Sequence, residues 1–248
     1  MSIIFSRYKL IIQYDGTKYL GWQLQKQGRT VQGTIENALK KLSNRQSRII
    51  VHGSGRTDAG VHALAQVAHI DFKSTLNVQD IKNALNSNLP QDCRIIDIEQ
   101  VKSDFHSRFN AKKRYYRYQC YSGASILYGN QCWILTKIDI KCLNHLAGQL
   151  IGNKDFLSFS KYREEMKDTM CEVFDSKWSF EDNMFIFRIS ANRFLHHMIR
   201  YLVGTMIAVC DQRFTELEFQ SLLNNPRKNV RIFKAPPQGL ILEKINYV

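Results

Sequence analysis

Arg48-Ile49-Ile50-Val51-His52-Gly53-Ser54-Gly55-Arg56-Thr57-Asp58-Ala59-Gly60-Val61-His62-Ala63-Leu64-Ala65-Gln66-Val67-Ala68-His69-Ile70-Asp71-Phe72 reads as strand, glycine-rich loop, strand. Residues 48–52 predict a buried strand entering the loop. Residues 67–72 predict another, with Ala68, Ile70 and Phe72 on one face. Upstream, residues 7–14 put Leu10, Ile12 and Tyr14 on one face and end at the turn signal Asp15-Gly16. Val31, Ile35, Ala38, Leu39 and Leu42 recur at helical spacing over 31–42. Downstream, Ile81, Ala84 and Leu85 suit a helix stopped by Pro90, and 94–98 a further strand.

The second half repeats the rhythm. Residues 115–121 predict a strand, and Cys142 to Leu150 a helix closed by Gly152. Residues 175–180 and 184–190 predict a hairpin around Glu181-Asp182-Asn183, and 194–209 a long helix. Thr215 and Glu218 form a capping box, with Phe214 and Phe219 placed as its hydrophobic staple. Residues 240–247 give a last strand. The expectation is an α+β chain of two similar subdomains, 1–106 and 107–248, with mostly antiparallel sheets flanked by helices and a cleft between them.

Lys and Arg outnumber Asp and Glu by 35 to 22 in 248 residues, a net charge of +13. That field favours polyanions, nucleic acid foremost, although charge alone also serves solubility. The six cysteines never form a C-x-x-C, so neither a zinc knuckle nor a disulfide framework is expected; reduced, partly buried thiols are. The first ten residues mix Ile3, Ile4 and Phe5 with Arg7 and Lys9 and show no small-residue cleavage site. We expect no leader, no membrane span and a cytoplasmic location.

Three segments carry chemistry. In the first, the loop glycines let another molecule approach closely while Arg56 and Asp58 set a cation beside a carboxylate. An acidic residue in such a loop serves more often as a turn-former or cap than as a nucleophile. Gly53 and Gly55 could cradle a phosphate, but the P-loop Lys-Ser/Thr is missing. The second, residues 108–118, interleaves Arg108, Lys112, Lys113, Arg114 and Arg117 with Phe109, Tyr115, Tyr116 and Tyr118. Cations meet phosphates and aromatic faces stack on unpaired bases, so the mixture suits RNA; an ordinary strand with aromatics inward is the alternative. The third, residues 192–200, places His196 and His197 at the start of the long helix, where neighbours diverge and cannot share a metal. Arg200 there needs a buried anion or a route to solvent. No metal-ligand spacing is visible among the histidines.

Together these segments resemble the TruA-type tRNA pseudouridine synthases. The nonapeptide Gly55-Arg56-Thr57-Asp58-Ala59-Gly60-Val61-His62-Ala63 looks like that family's signature. Further matches are Asp15-Gly16 with Gly21-Trp22-Gln23-Leu24-Gln25, Thr30-Val31-Gln32-Gly33, Phe105-His106-Ser107-Arg108-Phe109-Asn110-Ala111 leading into Tyr116-Arg117-Tyr118, Gly152 with Asp155-Phe156, the 194–204 segment and Gly239-Leu240-Ile241-Leu242. The pattern departs at 167–174, where Cys171-Glu172 stands near an Arg of many relatives.

The resemblance implies an isomerase without cofactor or metal that converts uridine to pseudouridine at positions 38, 39 and 40 of the tRNA anticodon arm, in a central basic catalytic cleft. It implies Asp58 as nucleophile, Arg200 as its paired arginine, Arg56 as the residue that fills the gap left by the extruded base, Tyr116 as the platform for the flipped uracil, and Leu240 as a pocket wall. It also implies a homodimer, with one tRNA contacting both subunits. The competing readings are a non-catalytic RNA-binding module, which would keep the basic-aromatic strand but would not need Asp58 among its glycines, and a phosphate-binding hydrolase, which would need metal ligands or a nucleophile–base pair that no spacing here offers.

Overall fold

The computed structural model describes residues 4–43, 48–162, 164 and 168–248. The chain divides into two compact units, Met1–Lys112 with Leu242–Val248, and Lys113–Ile241. Residues 107–112 and the C-terminal strand from Leu242 thus go with the first unit, whereas the sequence pattern assigned everything after 106 to the second half. Alternation along a chain shows that a strand forms, not which sheet it joins.

The first unit contains β1 (Ile4–Tyr14), α1 (Val31–Ser43), β2 (His52–Gly53), β3 (His62–Ser74), α2 (Val78–Asn88) and β4 (Cys93–Val101). β1 runs antiparallel to both neighbours, with Leu10 opposite Ala68 on β3 and opposite Ile98 on β4. Its period-two pattern buries Tyr8, Leu10, Ile12 and Tyr14 on one face. α1 contributes Val31, Ile35, Ala38 and Leu39 to the core, and α2 contributes Ile81 and Leu85.

The strand expected over 48–52 shrinks to His52–Gly53, and Ile50 faces solvent. The buried carboxylate of Glu36 on α1 is the physical reason. It pairs with Arg48 at 2.6 Å and accepts the Val51 N–H at 3.1 Å, so this segment is tied to a helix side chain instead of a ladder.

The second unit contains β5 (Lys113–Ser122), β6 (Trp133–Leu135), α3 (Ile140–Gly148), β7 (Gly152–Asp155), β8 (Met170–Glu181), β9 (Met184–Ala191), α4 (Met198–Cys210), α5 (Glu216–Asn224) and the first residues of β10 (Leu240–Asn246). Its strands run in the order β5-β9-β8-β7, with each neighbouring pair antiparallel, and β6 adds to β5 in parallel. The β8–β9 hairpin turns on Asp182 and Asn183, both left-handed at φ 50° and 62°, which matches the twist of the flanking strands. The capping box of Thr215 and Glu218 opens α5 as expected, over a buried Phe214 and Phe219.

Three further expectations need correction. Gly152 does not close α3; that helix ends at Gly148, and Gly152 starts β7 with φ 102°. α4 starts at Met198, four residues later than its apolar pattern suggested, because His197 is left-handed at φ 66° and breaks the helical path. The cysteines are not all reduced: Cys142 on α3 is bonded to Cys210 at the end of α4, while Cys93, Cys120, Cys132 and Cys171 are free and buried. The bonded pair is 68 residues apart in sequence. It is created by helix packing, which no local spacing records.

Backbone contact fixes α4 in place. A Cβ on Gly204 would lie 2.5 Å from the Phe233 carbonyl oxygen and 2.7 Å from the Ala235 nitrogen. Ala is intrinsically better than Gly inside a helix by about 1 kcal/mol, but overpacking against backbone costs about 1–3 kcal/mol. Gly204→Ala is therefore expected to lower the urea midpoint without changing the slope of the transition. An unchanged or raised midpoint would show that α4 does not lie this close to residues 233–235.

Candidate active site

In the first unit, loop 54–61 is held by a set of backbone bonds. Ser54 N–H donates to the Val67 carbonyl at 2.8 Å, Trp22 N–H to Thr57 at 3.1 Å, Gly60 N–H to Tyr19 at 3.2 Å and Val61 N–H to Asp58 at 3.2 Å. The Thr57 hydroxyl meets the Tyr14 hydroxyl at 2.8 Å, in the core. Two glycines make this possible. Gly21, at φ 95°, passes so close that a Cβ would lie 2.6 Å from the Thr57 carbonyl oxygen, and Gly60 turns the chain at φ 77°. On this fixed backbone Asp58 is half-buried and Arg56 exposed. A half-buried carboxylate on rigid backbone is suited to nucleophilic work in a way that a mobile one is not.

Beside this loop stand three imidazoles. His52 and His69 stack with centroids 4.8 Å apart, and His106 meets His69 edge-on at 4.7 Å. Their ligand nitrogens lie within 4.8 Å of one another, close enough to consider a cation. The hydrogen bonds favour another role. His106 Nδ1 accepts the N–H groups of Arg108 and Phe109, and His69 Nδ1 accepts the Ser107 N–H at 3.2 Å. Such acceptance leaves the ring proton on Nε2, where a metal would need a lone pair. The cluster therefore serves to hold residues 105–110. The spacing of these histidines along the chain could not have revealed it, since the sheet assembles it.

In the second unit, Tyr116 lies on β5 opposite Ile189, buried, with the Phe194 ring edge-on at 5.2 Å. Arg200 occupies the first turn of α4, buried, and its Nε donates to the Ala235 carbonyl at 2.8 Å; the Ala235 N–H returns a bond to the Arg200 carbonyl at 2.9 Å. Tyr118 donates its hydroxyl to Pro236 at 2.8 Å, and burial pushes its phenol well above the ordinary range. Leu240, also buried, follows the short turn Pro237–Gly239. The 233–240 segment thus anchors both Arg200 and Tyr118. Sequence reasoning missed that anchor, because backbone carbonyls leave no mark in the residue pattern.

His196 and His197 precede α4 instead of lying on it, with rings 4.0 Å apart, so the argument that helical geometry separates them does not hold. Of the basic-aromatic stretch, Lys113 folds over the Tyr115 and Phe174 rings at 4.9 and 4.8 Å. In the departing segment, burial pushes the Cys171 thiol up to about 12; residues 165–167 lie outside the described residues.

A basic chain with a fixed, half-buried carboxylate on a glycine-rich loop, and with a buried arginine and tyrosine in its other unit, has the parts of an RNA-modifying enzyme. A family described as tRNA pseudouridine synthase matches residues 10–110 and 146–248. Full-length relatives agree. Proteins named tRNA pseudouridine synthase A from Ehrlichia chaffeensis and Chlorobium limicola are 35% and 38% identical, over 97% and 95% of this chain and 100% and 97% of theirs. One from Pelodictyon phaeoclathratiforme is 39% identical over 96% of this chain and 98% of its own. Among solved structures, a chain of a Cbf5-Nop10-Gar1 complex aligns with 80% of this chain and 52% of its own at 11% identity and a TM-score of 0.36, a likeness too slight to carry argument. The chain belongs to the tRNA pseudouridine synthase family. Arg56, Asp58, Arg200 and Leu240 lie within the matched ranges and Tyr116 between them.

The histidine cluster has a measurable consequence. Burial first, then His52 and His106, pull the His69 imidazole down to about 4 from 6.5, and burial also lowers His106. Between those values the unfolded chain binds a proton that the folded chain refuses. The cluster's contribution is therefore complete above pH 6.5 and is lost as pH falls toward 4. The urea midpoint is expected to fall over that window, and His69→Asn to reduce the fall. Equal pH slopes for both proteins would contradict a neutral, buried His69.

Proposed function

We propose that this protein isomerises uridine to pseudouridine at positions 38, 39 and 40 of the tRNA anticodon arm, with Asp58 as nucleophile. The observation that carries the proposal is the half-buried Asp58 carboxylate, held on hydrogen-bonded backbone in a chain of this family. In the net reaction the N1–C1′ bond breaks, the uracil turns, and a C5–C1′ bond forms. The proton on C5 leaves, N1 gains one, and no electrons enter or depart. An aspartate oxygen can bond to C1′ or to C6 and be released again, so the enzyme is recovered unchanged.

Each remaining residue has a role in this reading. Arg200 supplies the positive charge that an ionised carboxylate requires once water is excluded. Arg56, exposed on the same loop as Asp58, fills the space that the extruded base leaves. Tyr116 receives the flipped uracil on its ring and helps move the proton, and Leu240 closes the pocket with apolar surface. The reaction needs no cofactor or metal. No described helix is long and apolar enough to cross a membrane. We place the enzyme in the cytoplasm, acting as a homodimer on tRNA.

Single-turnover tritium release from [5-³H]uridine-labelled tRNA, beside a tRNA-binding assay, tests the assignment. Asp58→Asn is expected to abolish release while binding persists. Arg200→Met is expected to lose release at neutral pH and to regain part of it as pH rises, because a carboxylate deprived of its cation protonates more readily. It also gives up the bond to the Ala235 carbonyl, at about 1–3 kcal/mol of stability. Near-normal release by Asp58→Asn would remove Asp58 as the nucleophile.

A further inference from the structure

The stretch that sequence reading treated as one basic-aromatic segment separates into different surfaces. Tyr116 and Tyr118 are buried, Tyr115 is half-buried, and Phe109 presents 74% of its surface to solvent. Arg108, Asn110 and Lys112 around it are exposed as well.

Phe109 is not on a loose loop. His106 Nδ1 accepts the N–H groups of Arg108 at 3.1 Å and Phe109 at 3.3 Å. The Asn110 N–H donates to the His106 carbonyl at 3.0 Å, and the Asn110 side-chain oxygen accepts the His106 N–H in return. Ser107, fully buried, gives its hydroxyl proton to the His52 carbonyl, and its own carbonyl accepts the Tyr247 hydroxyl at 2.7 Å. Arg7, paired through two bonds with Asp71, donates to the Phe105 carbonyl at 3.0 Å. The turn is thus pinned to β1, β3 and Tyr247, just past the C-terminal strand, and through His52 to the strand that leads into the Asp58 loop. The Phe109 ring lies 4.3 Å from the His106 ring, tilted by 32°, with the Arg108 guanidinium 5.8 Å from its centroid.

We propose that Phe109 is a stacking platform for an unpaired nucleotide of the substrate RNA, separate from the target uridine, with Arg108 meeting the adjoining phosphate. The proposal rests on the tRNA-modifying function above. An exposed aromatic held rigid has already lost the freedom that binding would otherwise cost. A base offers a flat π-face for it, and a guanidinium at its edge suits the phosphate beside that base. Protein partners fit less well. One ring among Arg, Lys and Asn is smaller and more cationic than the apolar centre of a protein interface, and the chain's charge of +13 favours a polyanion.

The test compares tRNA affinity, by anisotropy at several salt concentrations, for wild type, Phe109→Ala and Phe109→Trp, with thermal melts confirming the fold. Phe109→Ala is expected to weaken binding roughly 5- to 150-fold, with an unchanged salt slope because no phosphate contact is lost. Phe109→Trp is expected to bind as wild type and to show tryptophan emission, over the wild-type background, that tRNA quenches. Wild-type affinity in Phe109→Ala, or unquenched emission from position 109, would overturn the platform alone. Wild type that fails to bind tRNA would remove the function on which it rests. A change of oligomeric state in Phe109→Ala that accounts for the lost affinity would assign Phe109 to contact between copies and overturn the proposal.

Discussion

The Trp22 N–H donating to the Thr57 carbonyl sets where Asp58 can be. That bond requires the chain at Gly21 to pass against residues 57–59 more closely than any side chain permits. The Tyr14 hydroxyl holds the Thr57 side chain from below, and Tyr19 holds Gly60 from the side. A glycine-rich loop would otherwise wander, and a wandering carboxylate would hold no fixed geometry. The flexibility of the glycines is used for close approach and then removed by hydrogen bonds.

The second unit applies the same rule to a cation. Arg200 is buried, a costly position for a guanidinium without partners, and the Ala235 carbonyl holds one of its nitrogens while the helix backbone closes the reciprocal bond. Gly204, one turn further along α4, allows residues 233–235 to lie flat against the helix. Tyr118 ties down Pro236. Both units therefore deliver chemically capable side chains from backbone that neighbouring glycines and carbonyls have fixed.

Much of this was legible in the residues, for reasons that differ from element to element. β1, α1, α2, β5, the β8–β9 hairpin and the α5 cap follow from periodicity, the Asp182-Asn183 turn and the Thr215–Glu218 box, all local signals. Asp58 and Arg56 stood out through the resemblance carried by residues 55–63, because pattern alone reads an acidic residue among glycines as a turn-former. What stayed hidden depended on distant partners: the loss of strand at 48–51 to Glu36, the left-handed His197 that delays α4, the Cys142–Cys210 bond, and the histidine cluster that only β2, β3 and the 105–110 turn assemble. Phe109 was visible as one aromatic among four, and only the full or partial burial of the others separates it.

The central claim is site-directed isomerisation of tRNA uridine. Incubating the purified chain with an unmodified tRNA bearing uridines at positions 38 to 40, then mapping pseudouridine by carbodiimide modification and primer extension, tests it most directly. Enzyme-dependent stops immediately 3′ of those positions, and nowhere else, are expected; no new stops, or stops that report only uridines elsewhere in the tRNA, would contradict the account.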